Sequence, residues 1–277
     1  LKQYVYELEF SNNQKVTSVD PYSYAVTANS THTVIVTNKD LSPDKWDATK
    51  RMTPFSKNTD AIIYEAHVRD LTIGKDNGIT NKGKFLGLTE KGTKTTSGNL
   101  SGLDYIKSLG VTHVQFLPIY DFASIDETVD LSYGRVYNWG YDPFHYTVPE
   151  GSYATDPEGT TRIKEFRTMI QAIKQDLGMN VIMDVVYNHT NAAGPTDRTS
   201  VLDKIVPWYY QRLNETTGSV ESATCCSDSA PEHRMFAKLI ADSLAVWTTD
   251  YKIDGFRFDL MGYHPKAQIL SAWERIK

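Results

Sequence analysis

The sequence has no excess of positive charge and no long apolar run, and each absence excludes a class of protein. Its 277 residues carry 29 lysines and arginines against 34 aspartates and glutamates, a formal net charge of −5. Such a chain has no cationic field to hold a polyanion, so we expect no nucleic acid partner. No apolar run approaches the roughly 20 residues of a membrane-spanning segment. The chain opens without a basic and then apolar leader, so we expect it to begin inside a folded unit or after processing.

Cysteine is also scarce. The only two cysteines, Cys225 and Cys226, are adjacent. Because a disulfide between adjacent residues closes a strained small ring, we expect two thiols. The cysteines therefore do not indicate whether the compartment is oxidising or reducing.

The first 53 residues are typical of β structure. Period-two alternation and turn residues predict three strands, at Tyr4–Phe10, Ser23–Thr27 and His32–Thr37. Three strands cannot close a stable sandwich, so we expect residues 1–53 to be the C-terminal part of an all-β sandwich module. A linker is predicted from Leu41 to Pro54.

From about residue 60, strand and helix patterns alternate. Nearly continuous apolar runs, typical of strands buried on both faces, occupy Ala61–Val68, Val111–Ile119, Asn180–Val186 and Ile253–Leu260. Amphipathic helices are predicted at Leu100–Leu109, Thr161–Leu177, Pro231–Thr249 and from Pro265 onward. This order indicates parallel βα units.

Two architectures contain such units, an open doubly wound sheet and a (β/α)8 barrel. A dinucleotide-binding sheet would carry a glycine fingerprint after its first strand, and Ala66–Asp70 has none. The predicted fold class is therefore α/β: residues 54–277 form the first half of a (β/α)8 TIM barrel, preceded by the end of an all-β sandwich module. In such a barrel the chemistry lies at the C-terminal ends of the strands.

Polar residues collect at those strand ends. Alternation along residues 254–260 places Gly255, Arg257 and Asp259 on one face, an arrangement that suits either a structural ion pair or part of a site. The preceding strand ends in the sequence DVVYNH, and a long loop before it reads YNWGYDP.

The three segments resemble a known family. DVVYNH and GFRFDL are similar to the first two signature segments of the α-amylase superfamily of glycoside hydrolases, over about residues 60–277. YNWGYDP resembles the segment that marks its type I pullulanases, although isoamylases and glycogen debranching relatives share a similar loop. Residues 1–53 resemble the end of the carbohydrate-binding-like β-sandwich module that precedes pullulanase barrels. The resemblance implies an enzyme that hydrolyses α-1,6-glucosidic branch linkages in pullulan, amylopectin and limit dextrins, with an α-glucan polysaccharide or oligosaccharide as its partner.

The resemblance also implies the catalytic chemistry. Retaining glycosidases use a carboxylate nucleophile and a carboxylic acid about 5 to 5.5 Å away. Asp259 resembles the nucleophile, and Arg257 on the same strand face is placed to keep it ionised. The family's general acid is a glutamate at the end of the fifth strand, and none of the chain's glutamates matches that position. We therefore expect the chain alone to be inactive and its partner to be the remainder of its own barrel.

Six further residues resemble substrate-binding positions of the family. Tyr141 would stack on a sugar, Asp142 would bind hydroxyls or pair with a base, and His189 would bind the sugar at the cleavage point. Asp184 would support the site. His264 is a substrate-binding candidate one residue after Tyr263, which stands where most of the superfamily has histidine. Trp139 either binds sugar or only holds its loop in place.

Other ligands and classes follow from the same comparison. No organic cofactor is required for the chemistry. Calcium is compatible with the family, with Asn188 or nearby acids as ligands, although no loop has EF-hand spacing. A metal-dependent barrel hydrolase would need His-x-His where the chain has His67-Val68-Arg69. A non-catalytic carbohydrate-binding relative would have lost Asp259. For localisation, an extracellular or cell-surface position is favoured over the cytoplasm.

Overall fold

The first part of the chain forms two short antiparallel pairs. The computed structural model describes residues 2–37, 41–51, 55–223 and 225–277. Strands β1 (Lys2–Tyr4) and β4 (Thr33–Ile35) pair with each other, as do β2 (Tyr6–Glu9) and β3 (Lys15–Ser18). The prediction of a strand at Ser23–Thr27 is wrong. In the described part of the chain, two backbone hydrogen bonds join this segment to residues 32–34. The Thr27 N–H donates to the His32 oxygen, and the Val34 N–H donates to the Ala25 oxygen.

The predicted linker packs against the rest of the fold. Leu41 is fully buried and Trp46 is 6% exposed, and both lie in the apolar cluster that contains the sheet. The Arg167 guanidinium lies 5.6 Å from the centre of the Trp46 ring. The end of the linker, Met52 to Pro54, lies outside the described residues, so the domain boundary there stays a prediction.

The central sheet has four parallel strands, as the apolar runs predict. They are β5 (Ile63–Ala66), β6 (His113–Phe116), β7 (Asn180–Val185) and, last along the chain, Gly255–Phe258; the spatial order follows the chain order. A separate short antiparallel pair, β8 (His189–Thr190) and β9 (Ser227–Asp228), lies between them in sequence, so the fourth sheet strand is β10. This arrangement matches a partial (β/α) barrel.

Helices connect the parallel strands. They are α1 (Val68–Ile73), α2 (Gly102–Ser108), α3 (Thr161–Gln171, continued by a π-helical turn at Ala172–Asp176), α4 (Val201–Ile205), α5 (Arg234–Thr249) and α6 (Lys266–Ile276). The predictions of α2, α3, α5 and α6 are confirmed. The helices α1 and α4 have five or six residues, too few to show helical periodicity in the sequence. No helix of the described ranges is long and apolar enough to cross a membrane.

The two faces of the sheet differ in exposure. On the helix side, β7 contributes Val181, Met183 and Val185, all fully buried. On the opposite face Ile63 is 50% exposed, and the Arg257 side chain is 43% exposed. This open face holds the charged residues of β7 and β10, and it positions the site.

Candidate active site

Arg257 joins two carboxylates on the open face of the sheet. The parallel register of β7 and β10 places Arg257 opposite Asp184. The Nη1 atom of Arg257 donates to Asp184 Oδ1 at 3.1 Å and Oδ2 at 3.0 Å, and to Asp259 Oδ1 at 3.0 Å. One guanidinium therefore binds the candidate nucleophile and its buried neighbour together.

Asp184 is the buried anchor of this cluster. Its side chain is fully buried, and Tyr141 donates its hydroxyl to Asp184 Oδ2 at 2.7 Å. Burial raises the pKa of Asp184, while the hydrogen bonds from Tyr141 and Arg257 oppose that rise. Burial and the bond to Asp184 raise the pKa of the Tyr141 hydroxyl. Asp184 thus orients the arginine and the tyrosine, in line with its predicted supporting role.

Asp259 is held from two sides. Its backbone N–H donates to Val185 O at 3.0 Å, extending the pairing of β10 and β7 by one residue. Asn188 Nδ2 donates to Asp259 Oδ2 at 3.0 Å and to its backbone oxygen at 3.1 Å. With Arg257 on Oδ1 and Asn188 on Oδ2, the carboxylate has a fixed orientation, and its side chain remains 17% exposed. A nucleophile needs both properties.

Asn188 positions Asp259, a role that the sequence does not predict. Its side-chain oxygen lies 2.7 Å from His189 Nδ1 while its nitrogen holds Asp259. The signal was present in the DVVYNH segment, where Asn188 precedes the candidate histidine.

His189 lies at the centre of the site but is engaged by the protein. The residue is 2% exposed, and its Nε2 atom lies 2.6 Å from the backbone oxygen of Tyr141. With Nδ1 on Asn188, both ring nitrogens face oxygens of the chain. His189 therefore links the Tyr141 loop to the end of β7, and sugar binding by its ring stays a prediction.

The loop at residues 137–143 separates into exposed and anchoring side chains. Trp139 is 61% exposed, whereas Tyr141 is half-buried over Asp184. Asp142 accepts from Asn138 Nδ2 at 2.9 Å and from the backbone N–H of Ser124 at 2.7 Å. Both Asp142 oxygens thus hold the loop, while Trp139 and Tyr141 present rings at the surface and at the site.

His264 packs beside the site without touching the nucleophile. The residue is 7% exposed, its Nδ1 atom lies 3.2 Å from Gln268 Oε1, and its ring lies 5.7 Å from that of Phe258. Burial lowers the pKa of His264. Its predicted contact with substrate stays a prediction.

The expectation of two thiols is wrong. Cys225 and Cys226 form a disulfide between adjacent residues. The two sulfur atoms lie within 4.8 Å of a ring nitrogen of His189.

Among the described residues, one group of three carboxylates converges as a calcium site would require. The buried side chains of Asp121, Glu127 and Glu150 converge, and burial raises the pKa of Glu127 and of Glu150. The fully buried Arg162 donates to Glu127 at 3.0 and 2.7 Å and to Asp121 at 3.3 Å. Backbone N–H groups, Ser30 and His145 supply donors to the remaining oxygens. Because the guanidinium occupies the place of a cation, this cluster does not fit calcium.

Comparisons with known proteins identify the family of this chain. The sequence model of the family described as Alpha amylase, catalytic domain, matches residues 42–224. The chain is 54% identical to a pullulanase of Klebsiella pneumoniae over 99% of this chain and 31% of that protein. It is 40% identical to the chloroplastic pullulanase 1 of Arabidopsis thaliana over 91% of this chain and 29% of that protein. The chain thus spans about a third of the length of the curated relatives it matches.

Solved structures show the same relationship. The apo pullulanase of Klebsiella pneumoniae superimposes with a TM-score of 0.89 at 50% identity, over 99% of this chain and 37% of that chain. A D350A variant of the Paenibacillus barengoltzii pullulanase, complexed with maltotriose, superimposes with a TM-score of 0.90 at 42% identity, over 99% of this chain and 42% of that chain.

Proposed function

The chain belongs to the α-amylase family of glycoside hydrolases, and on that basis we propose that it forms part of a debranching enzyme. Its reaction is the hydrolysis of α-1,6-glucosidic branch linkages in pullulan, amylopectin and limit dextrins. The observation that carries this proposal is the cluster of Arg257, Asp184, Tyr141 and Asn188 around Asp259. Pullulanases among the relatives support the linkage assignment.

Asp259 acts as the nucleophile of a retaining mechanism. Its carboxylate attacks the anomeric carbon, the glycosidic C–O bond breaks, and an acid protonates the leaving oxygen. The acid, now a carboxylate, then deprotonates a water molecule, which hydrolyses the glycosyl–Asp259 ester. Arg257 and Asn188 donate to the two oxygens of the Asp259 carboxylate and orient it toward the substrate.

The Tyr141 ring provides the sugar-binding surface beside Asp259. A half-buried aromatic plane suits the C–H face of a glucose unit, and its hydroxyl is fixed on Asp184, so the ring is preorganised. His264, His189 and the exposed Trp139 contribute further substrate contacts.

The general acid is supplied from outside these 277 residues, by the remainder of the same barrel. The open face of the sheet supports this partner, since Glu65 and Gln115 hydrogen-bond each other there at 2.8 Å and Arg257 is 43% exposed. A closed barrel would bury this face. We expect the chain alone to be inactive. We place the enzyme outside the cell or at its surface, and the Cys225–Cys226 disulfide is in keeping with an oxidising compartment.

Reducing-sugar release from pullulan tests the proposal. The assay compares this chain alone, the same chain extended through its natural C-terminus, the extended form with Asp259→Asn, and the extended form with Asp130→Asn, an exposed acid outside the site. We expect activity only in the extended form and its Asp130→Asn variant, with maltotriose as product.

Two results would contradict parts of the proposal. Activity in the chain alone would mean that one of its own acids protonates the leaving group. An extended protein that leaves pullulan intact but trims branched glycogen would indicate an isoamylase or glycogen debranching activity, with the nucleophile assignment unchanged.

A further inference from the structure

The Cys225–Cys226 disulfide lies against His189. The two sulfur atoms and a ring nitrogen of His189 all lie within 4.8 Å of one another. Cys225 is exposed, Cys226 is partly exposed, and His189 is 2% exposed. An exposed cysteine and its partly exposed neighbour thus lie beside the buried imidazole of the candidate active site.

We propose that reduction of this disulfide creates a binding site for a soft divalent cation such as Zn²⁺, with the thiolates of Cys225 and Cys226 and the His189 imidazole as ligands. We further propose that the bound cation inhibits glucan hydrolysis. The metal-binding part depends on the geometry alone, whereas the inhibition rests on the proposed function.

Reduction supplies the missing ligands. A thiol reductant donates two electrons and two protons, the S–S bond breaks, and the reductant is oxidised to its own disulfide. The two thiols lose their protons when the cation binds. Disulfide sulfurs are neutral, but two thiolates and an imidazole form a ligand set that zinc prefers.

The separations suit this metal after a small movement. Zn–S bonds of about 2.3 Å and a Zn–N bond of about 2.0 to 2.1 Å place tetrahedral ligand atoms roughly 3.6 Å apart. The three ligand atoms lie within 4.8 Å in the oxidised protein. An adjustment of about an ångström, together with opening of the S–S bond, would complete the site.

Occupancy would disturb the nucleophile through Asn188. Both nitrogens of His189 are engaged, one by the Tyr141 carbonyl and one by the Asn188 side chain. A cation on either nitrogen breaks one of these contacts. The Asn188 amide orients Asp259, so loss of its contact with His189 loosens the nucleophile. Loss of the contact between His189 and the Tyr141 carbonyl frees the loop at residues 137–143.

Cadmium titration tests the site without reference to activity. The full-length protein is reduced with a phosphine, freed of reductant and titrated with Cd²⁺, and thiolate-to-metal charge-transfer absorption is followed. We expect one strong site in the reduced protein that is absent after reoxidation and absent from the Cys225→Ser/Cys226→Ser variant. We expect Cys226→Ser alone and His189→Gln to weaken binding at least about tenfold, equivalent to about 1.4 kcal/mol. His32→Gln, at an exposed histidine, should bind as the wild type does.

Three results would overturn the proposed metal site: no binding after reduction, binding that persists in the double serine variant, or equal affinity in His189→Gln. Zn²⁺ should inhibit pullulan hydrolysis by the reduced protein and spare the oxidised protein. Full activity with the site loaded would overturn the inhibition. A protein that binds the cation but hydrolyses no glucan would contradict the proposed function and leave the metal site standing.

Discussion

Replacing Arg257 with methionine should remove the electrostatic basis of the site. Methionine keeps an unbranched, flexible side chain but supplies no charge and no donor. Asp184 and Asp259 would then face each other across β7 and β10 without a cation, since a single atom, Arg257 Nη1, makes all three of their contacts with this residue at 3.0 to 3.1 Å.

The expected loss follows from those contacts. A hydrogen bond to a charged group contributes about 1.5 to 3 kcal/mol, and each 1.36 kcal/mol is worth about tenfold in rate. The Arg257 side chain is 43% exposed, so solvent screening reduces the charge component. We therefore expect kcat/KM on pullulan to fall about 100-fold.

The pH–rate profile should change in a defined direction. Burial raises the pKa of Asp184, and Arg257 opposes that rise. Without Arg257 the pKa of Asp184 rises further, so Asp184 takes up a proton at higher pH and binds the Tyr141 hydroxyl more weakly. The acid limb of kcat/KM should consequently move to higher pH.

Steady-state kinetics of the extended protein over a range of pH checks both effects. Arg257→Lys should recover part of the loss, because one ammonium can replace one nitrogen. Arg135→Met, at an exposed arginine paired with Asp130, should match the wild type. A kcat/KM for Arg257→Met within about threefold of the wild type, or an unmoved acid limb, would refute the reasoning.

Three further substitutions test other parts of the structure. Tyr141→Phe keeps the ring but leaves Asp184 without one donor, so kcat/KM should fall about tenfold while Tyr141→Ala loses more; equal effects would exclude a role for the ring. Trp139→Ala, at a side chain 61% exposed, should raise KM for pullulan severalfold and leave the urea midpoint unchanged; an unchanged KM would remove Trp139 from the sugar-binding surface. Arg162→Met removes the guanidinium that binds the buried carboxylates of Asp121 and Glu127, so it should lower the free energy of unfolding by about 3 to 5 kcal/mol in urea titrations, whereas Arg135→Met should not.

The regular elements of the barrel portion were predictable because their patterns are local. The apolar runs that predict β5, β6, β7 and β10 reflect burial of short parallel strands, and the helical periodicity before three of them reflects one buried face. The segment at Ser23–Thr27 shows the limit of this reasoning. It has the composition of a strand, but only two backbone hydrogen bonds join it to the residues at the start of β4.

Contacts between distant segments were not predictable. Alternation along β10 predicts that Arg257 and Asp259 share a face, but only the register of β10 on β7 places Arg257 opposite Asp184. The hydrogen bonds that Asp142 accepts from Asn138 and Ser124 are visible only in the fold, and its predicted contact with substrate stays a prediction.

The sequence by itself determined the parallel βα architecture, the family resemblance and the identity of the candidate nucleophile, because periodicity and short segments encode these. Only the tertiary structure decided how that nucleophile is held, that Asn188 orients it, that Tyr141 reaches Asp184, and that the two cysteines bond beside His189. Hydrogen bonds and ion pairs act over about 3 Å, and only folding brings residues so far apart in the chain to that distance.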